Sequence, residues 1–210
     1  MKRYIFIIIY ILCTTGCHFY KEINVIDNPN DLVLVNKNNR LKSNYIPNDL
    51  VKLDINYSNK DKYLKKNAAY SFYKLSKDAK KLGFRIIIVS GYRSYEYQDK
   101  LFSYYVLEKG LDYALMCSAK PGHSEHQTGL AIDVEGSNYD YNLFEKSKEF
   151  NWMKNNAHKY GFILRYPKGK EYITGFKYEP WHYRYVGNEV AKYIYEHKIT
   201  FEEYKFGKKK

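Results

Sequence analysis

Four residues scattered along the chain have the types that a hydrolytic metal centre uses: His126, Asp133, Glu179 and His182. A catalytic zinc ion takes three protein ligands, commonly imidazole nitrogens with or without a carboxylate, and keeps one position open for water. His126, Asp133 and His182 would supply that set. The water needs a base to take its proton and return it to a leaving amine. Glu179, three residues before His182 and held extended by Pro180, is the candidate. A cation that stabilises an oxyanion or binds a terminal carboxylate completes such a site, and Arg93 suits that part.

These residues meet only if the elements carrying them fold in particular ways. Gly129 permits a turn that brings His126 back over the next segment. There Leu130, Ile132 and Val134 alternate with Ala131 and Asp133, which predicts a strand with one apolar face. Ala131 shares the face of Asp133 and is expected to leave room for metal and substrate. Residues 179–186 read as a second strand, with Trp181, Tyr183 and Tyr185 on one face and His182 and Arg184 on the other. Trp181 is expected as core or pocket wall. Upstream, a β-branched strand over 84–90 leads through Gly91, Tyr92 and Arg93 to a helix capped by Ser94. Gln98 falls in its first turn, and Leu101, Phe102, Tyr105 and Val106 form one apolar stripe before Gly110. Such a junction suits an anionic group. The alternative is a plain loop with an exposed arginine.

The remaining pattern is ordinary. Leu64, Ala68, Phe72, Leu75, Ala79 and Leu82 predict an amphipathic helix ended by Gly83. A helix within 142–160, a strand over 162–166 stopped by Pro167, a polar loop over 168–177 and a helix over 188–197 follow. His18, His158 and His197 read as structural or exposed, His123 as a supporting or loop residue, and Cys117 as a small buried hydrophobe.

With 210 residues, 45% of them hydrophobic and 28% charged, the chain suits one globular domain. Its 25 tyrosines read mainly as strand and core-edge residues. A formal charge of +12 attracts polyanions such as an anionic wall polymer or membrane surface. The lysines are scattered, without the arginine and aromatic clustering of a nucleic-acid module, so no nucleic-acid partner is expected. Met1-Lys2-Arg3 and the short apolar run over 4–12 read as an export signal. Thr14-Thr15-Gly16-Cys17 resembles a lipoprotein cleavage box, although threonine stands where leucine is usual. Ordinary cleavage and an uncleaved anchor are the alternatives. The expected division is a signal over 1–17, a tether over 18–35, a catalytic domain over 36–205 and a basic tail over 206–210. The domain is then extracytoplasmic, anchored at the outer face of a bacterial membrane by lipid on Cys17 or by the signal itself. Cys13 and Cys17 belong to that leader, which leaves Cys117 without a disulfide partner.

Ser90-Gly91-Tyr92-Arg93-Ser94 with Gln98, then Ser124-x-His126-x-x-Gly129-x-Ala131-x-Asp133, then Glu179-Pro180-Trp181-His182 carry a resemblance. In this order and spacing they resemble the VanY-type zinc D-alanyl-D-alanine carboxypeptidases, which trim peptidoglycan stem peptides. The similarity runs from about residue 34 to residue 186. It implies zinc on His126, Asp133 and His182, Glu179 as the base, and Arg93 stabilising the tetrahedral intermediate. Ser124 and Gln98 match positions that help hold the substrate. The implied fold is a small α+β domain of hedgehog/DD-peptidase type. Its mostly antiparallel sheet carries the zinc site on one face and packs helices on the other. The implied activity is release of the terminal D-alanine from a stem peptide. An L,D-carboxypeptidase, an endopeptidase and a non-catalytic wall-binding module are the alternatives; an intact Glu179 and Arg93 argue against the last.

Overall fold

The computed structural model describes residues 21–22, 31–137 and 140–207. The expected export signal, the box at Cys17, most of the expected tether and the last three lysines lie outside the described residues.

Two small strand pairs come first. Lys21–Glu22 (β1) runs parallel to Asn39–Arg40 (β2), and Leu50–Lys52 (β3) pairs antiparallel with Tyr63–Lys65 (β4). Lys66–Lys81 (α1) follows directly, so Leu64 belongs to β4 rather than to the helix, yet it enters the same core. Ile87–Ser90 (β5) leads to the paired helices Tyr95–Lys109 (α2) and Leu111–Cys117 (α3). Ala131–Glu135 (β6), Lys148–Asn156 (α4), Phe162–Leu164 (β7), Glu171–Thr174 (α5) and His182–Tyr185 (β8) come next, and Asn188–His197 (α6) and Phe201–Gly207 (α7) follow. The expected single helix within 142–160 is α4 flanked by two short 3-10 turns. In the expected loop over 168–177 lies α5.

The principal sheet has the order β5-β6-β8-β7, every pairing antiparallel. The architecture is the expected α+β domain. Strand parity gives the sheet two different faces. On one, Leu130, Ile132, Val134, Phe162 and Tyr183 pack against Ala68, Phe72, Leu75 and Ala79 of α1 and Phe150 and Met153 of α4. These α1 positions recur at three- and four-residue steps, which is why the lysine-rich helix docks by one stripe. On the other face, Ile163 joins Leu34, Ala191, Ile194 and Phe201, so α6, α7 and the segment around Leu34 cover only one end. The end carrying Asp133 and His182 stays open.

Leu34 and Val35 are buried, so packed structure begins before residue 36. At the other end α7 continues to Gly207, where a basic tail was expected from 206. α3 had no periodic signal of its own. No helix among the described residues is long and apolar enough to cross a membrane.

Candidate metal centre

Asp133 on β6 lies directly opposite His182 on β8, and Ala131 lies opposite Arg184. Directly opposed residues of an antiparallel pair share a face and sit side by side. Register alone therefore brings the carboxylate to the imidazole, with Asp133 Oδ1 2.9 Å from His182 Nδ1. It also corrects the expected role of Ala131. Its small side chain is buried beside the buried Arg184 and does not line the cleft.

His126 arrives from the other direction. Ser124 Oγ accepts from the His126 backbone N–H at 3.3 Å, opening the 3-10 turn Glu125–Thr128. Gly129 then reverses the chain at φ +69°. The turn puts the His126 ring over the open end of the sheet, where Nδ1–H donates to Gly91 O at 2.7 Å. With that proton placed, Nε2 carries the lone pair. Nε2 lies 3.2 Å from Asp133 Oδ2, is buried, and has no hydrogen-bond partner among the described residues.

Donor atoms of His126, Asp133 and His182 all lie within 4.8 Å of one another. Two imidazoles and a carboxylate are donors that zinc takes, and the orphaned Nε2 is what a cation would satisfy. Burial and the nearby Arg93 charge hold the His126 ring down at about 4, so it is neutral at physiological pH and fit to ligate. Burial opposes a proton on His182, but Asp133, Glu125 and Glu179 outweigh it and push that ring up to about 9. A cation at the site competes for the same position, since ligating groups must shed their protons.

Glu179 reaches the cluster by a turn, not by the strand expected from residue 179. His182 N–H donates to Glu179 O at 3.1 Å, and β8 begins only at His182. Glu179 Oε2 is thereby 3.7 Å from His182 Nδ1. Burial, with Asp133 and Glu125 nearby, raises the Glu179 carboxyl to about 7 against the pull of His182 and Arg93. Across the site Arg93 Nη2 stands 3.9 Å from Asp133 Oδ2, and its backbone N–H donates to His126 O at 3.2 Å.

These residues border a cleft of about 740 Å³ that runs from the cluster to α2 and α3. Gln98 is buried in its wall. Its Nε2 donates to Ser118 Oγ and Ala119 O, and its Oε1 is without a partner among the described residues. Ser94 caps α2 as expected, accepting from Tyr97 N–H at 3.1 Å. The expected apolar stripe of α2 is not core: Leu101 and Tyr105 line the cleft half-buried. Cys117 is exposed at the cleft rim, not the buried hydrophobe expected, because α3 ends there on the surface. His123 stands outside the cluster, its Nδ1 against Asn36 O at 2.8 Å. Trp181 is half-buried, packing against the core and bordering the cleft.

The family model for VanY D-alanyl-D-alanine carboxypeptidase matches residues 61–188, more than half of the chain. The chain belongs to the VanY family. A Bacillus subtilis relative named as a carboxypeptidase, YodJ, is 45% identical over 190 residues, covering 87% of this chain and 70% of that one. Among solved structures, the LD-carboxypeptidase LdcB matches with a TM-score of 0.79 and 46% identity over 83% of this chain and 85% of that one. A variant of the vancomycin-resistance D,D-pentapeptidase VanY, solved in complex with Zn(II), matches with a TM-score of 0.72 and 33% identity over 83% and 98%.

Sequence reasoning passed over three residues of this VanY domain. Glu125, Arg165 and Glu202 are buried and joined: Arg165 Nε donates to Glu125 Oε1 at 2.8 Å, and its two terminal nitrogens donate to Glu202 at 2.8 and 2.6 Å. Arg184 Nη1 adds a second bond to Glu125 Oε1 at 3.0 Å. Strand parity could have found Arg165, which continues the face of Ile163 rather than that of Phe162 and Leu164. Burial alone would raise the Glu125 carboxyl, but Arg165 and Arg184 outweigh it and hold it well below the usual range. A depressed carboxylate stabilises the fold above its unfolded value, about 4.3, and that stability is lost as pH falls. The melting temperature is therefore expected to drop steeply from about pH 4.5 downward. A flat profile between about pH 4.5 and 3 in a calorimetric series would contradict a charged Glu125.

Proposed function

We propose that this protein is a zinc-dependent carboxypeptidase that removes the C-terminal D-alanine of peptidoglycan stem peptides. The observation that carries the reading is the convergence of His126 Nε2, Asp133 and His182 Nδ1 at the foot of a cleft, with Glu179 on one side and Arg93 on the other. Zinc bound there supplies a Lewis acid that polarises the scissile carbonyl and makes water acidic enough to deprotonate near neutral pH. Glu179 Oε2 accepts the proton of the attacking water and later donates it to the departing D-alanine amine. Arg93 faces the same space and stabilises negative charge on the reacting carbonyl or the substrate's terminal carboxylate. Gln98 Oε1 and Ser124, both in the cleft wall, offer polar contacts to the peptide.

D,D-cleavage of a pentapeptide stem is the first reading, in line with the family. L,D-cleavage of a tetrapeptide is the second, favoured by the higher identity to LdcB, 46% against 33% for the D,D-pentapeptidase. The basic and apolar leader supports export and anchoring at the outer face of the bacterial cell membrane. The +12 charge supports attraction to the anionic wall.

Mass spectrometry of purified muropeptides with four- and five-residue stems decides between the readings. Conversion of pentapeptide to tetrapeptide, stopped by a chelator, is the expected result. Conversion of tetrapeptide to tripeptide alone supports the L,D reading. No conversion of either by zinc-loaded protein removes both carboxypeptidase readings and leaves an endopeptidase or a wall-binding module.

A further inference from the structure

Glu125 adjoins a metal ligand in sequence, is buried, and faces a second ligand. Its Oε1 is fully engaged, accepting from Arg165 and Arg184 at 2.8 and 3.0 Å. Its Oε2 has no hydrogen-bond partner among the described residues, and neither has His182 Nε2. The two orphaned atoms face each other at 3.5 Å. The other ring nitrogen of His182, Nδ1, points the opposite way, towards Asp133 Oδ1 and Glu179.

We propose that Glu125 is a positioning residue that receives the Nε2–H of His182, fixing the ring as the Nε2–H tautomer and leaving the Nδ1 lone pair for the metal. Metal-ligating imidazoles commonly donate their second N–H to a carboxylate or carbonyl, which sets both tautomer and ring orientation. Here the device appears twice in opposite senses. Gly91 O takes the Nδ1–H of His126 and presents Nε2; Glu125 Oε2 takes the Nε2–H of His182 and presents Nδ1. Arg165, itself held by both oxygens of Glu202, keeps the Glu125 carboxylate from rotating. The inference rests on the zinc reading above.

Glu125→Gln tests it sharply, because the two arginines need an acceptor. They pin the amide oxygen where Oε1 now lies, so the NH₂ group faces His182 Nε2. A donor there forces a lone pair onto Nε2 and the proton onto Nδ1, where the metal belongs. Zinc affinity, read by competition with a chromophoric chelator, is expected to fall about 10- to 100-fold. Long-range ¹H–¹⁵N NMR of the metal-free variant should show His182 protonated on Nδ1 and bare on Nε2. Glu125→Asp, which restores an acceptor, should recover part of the affinity. A Glu125→Gln variant that binds zinc within about two-fold of the parent overturns the proposal.

Should Glu125→Gln not fold, the unaltered zinc-loaded protein still decides. Six histidines make its imidazole spectrum tractable, and through-bond correlation from ring to backbone assigns the His182 signals. Nε2 protonated with a metal-shifted Nδ1 supports the proposal. Nδ1 protonated with a metal-shifted Nε2 overturns it. Failure of the parent protein to bind zinc at all defeats the metal reading itself, an outcome distinct from either.

Discussion

Glu179→Gln is expected to lower kcat/KM by about 10²- to 10⁴-fold while leaving zinc content and melting behaviour close to those of the parent. The carboxylate stands outside the three-residue ligand cluster, and its backbone bonds, to Tyr166 O and from His182 N–H, survive the substitution. Glutamine keeps the shape and removes the basicity. The pH profile offers an independent check. A base works only when ionised, so activity falls as pH drops through its pKa. Burial lifts Glu179 to about 7 without an ion, and a bound cation opposes that lift. The acid limb of kcat/KM is thus expected between about 4.3 and about 7, and absent from the residual activity of the glutamine variant. Residual activity above about a tenth of the parent would move the base elsewhere.

His126→Ala should remove the metal. Structural zinc sites bind with about 10–16 kcal/mol, so losing one of three protein ligands costs on the order of 3–5 kcal/mol, or about 100-fold or more in affinity. Elemental analysis after desalting should find the variant nearly zinc-free, and its activity should match chelator-treated parent. His123→Ala is the control. It lies three residues away and bonds Asn36 O through its ring, but it is not in the cluster, so its zinc should stay. Stoichiometric zinc in His126→Ala would break the ligand assignment.

Much of the site was legible because its parts obey short-range rules. The alternation through Asp133, the cap at Ser94 and the helix over Asn188–His197 depend on neighbours a few residues away, and all stand as the pattern implied. Parity put His182 and Arg184 on one face correctly. The failures come where long-range packing overrides local pattern. The stripe on α2 has helical spacing, yet a stripe cannot say whether it meets a core or a cleft. Ala131 looked like space for a ligand because its cross-strand partner Arg184 was unknown. Glu202 was invisible for the same reason: its partners Arg165 and Asn36 lie 37 and 166 residues away, at separations no periodicity encodes.

Those separations bear on how the protein comes to be active. Arg184 Nη2 donates to the carbonyls of Asp31 and Val33, and Asn36 donates to Glu202, so the two ends of the domain knot together behind the ligands. Closing loops of this size is slow, and contacts of such high order form late. A growing chain has every ligand by His182, yet Arg165 still lacks Glu202 and Glu125 is not yet clamped. The candidate metal site is therefore expected to be among the last parts to set, its outer supports closing only once both ends of the domain are in place.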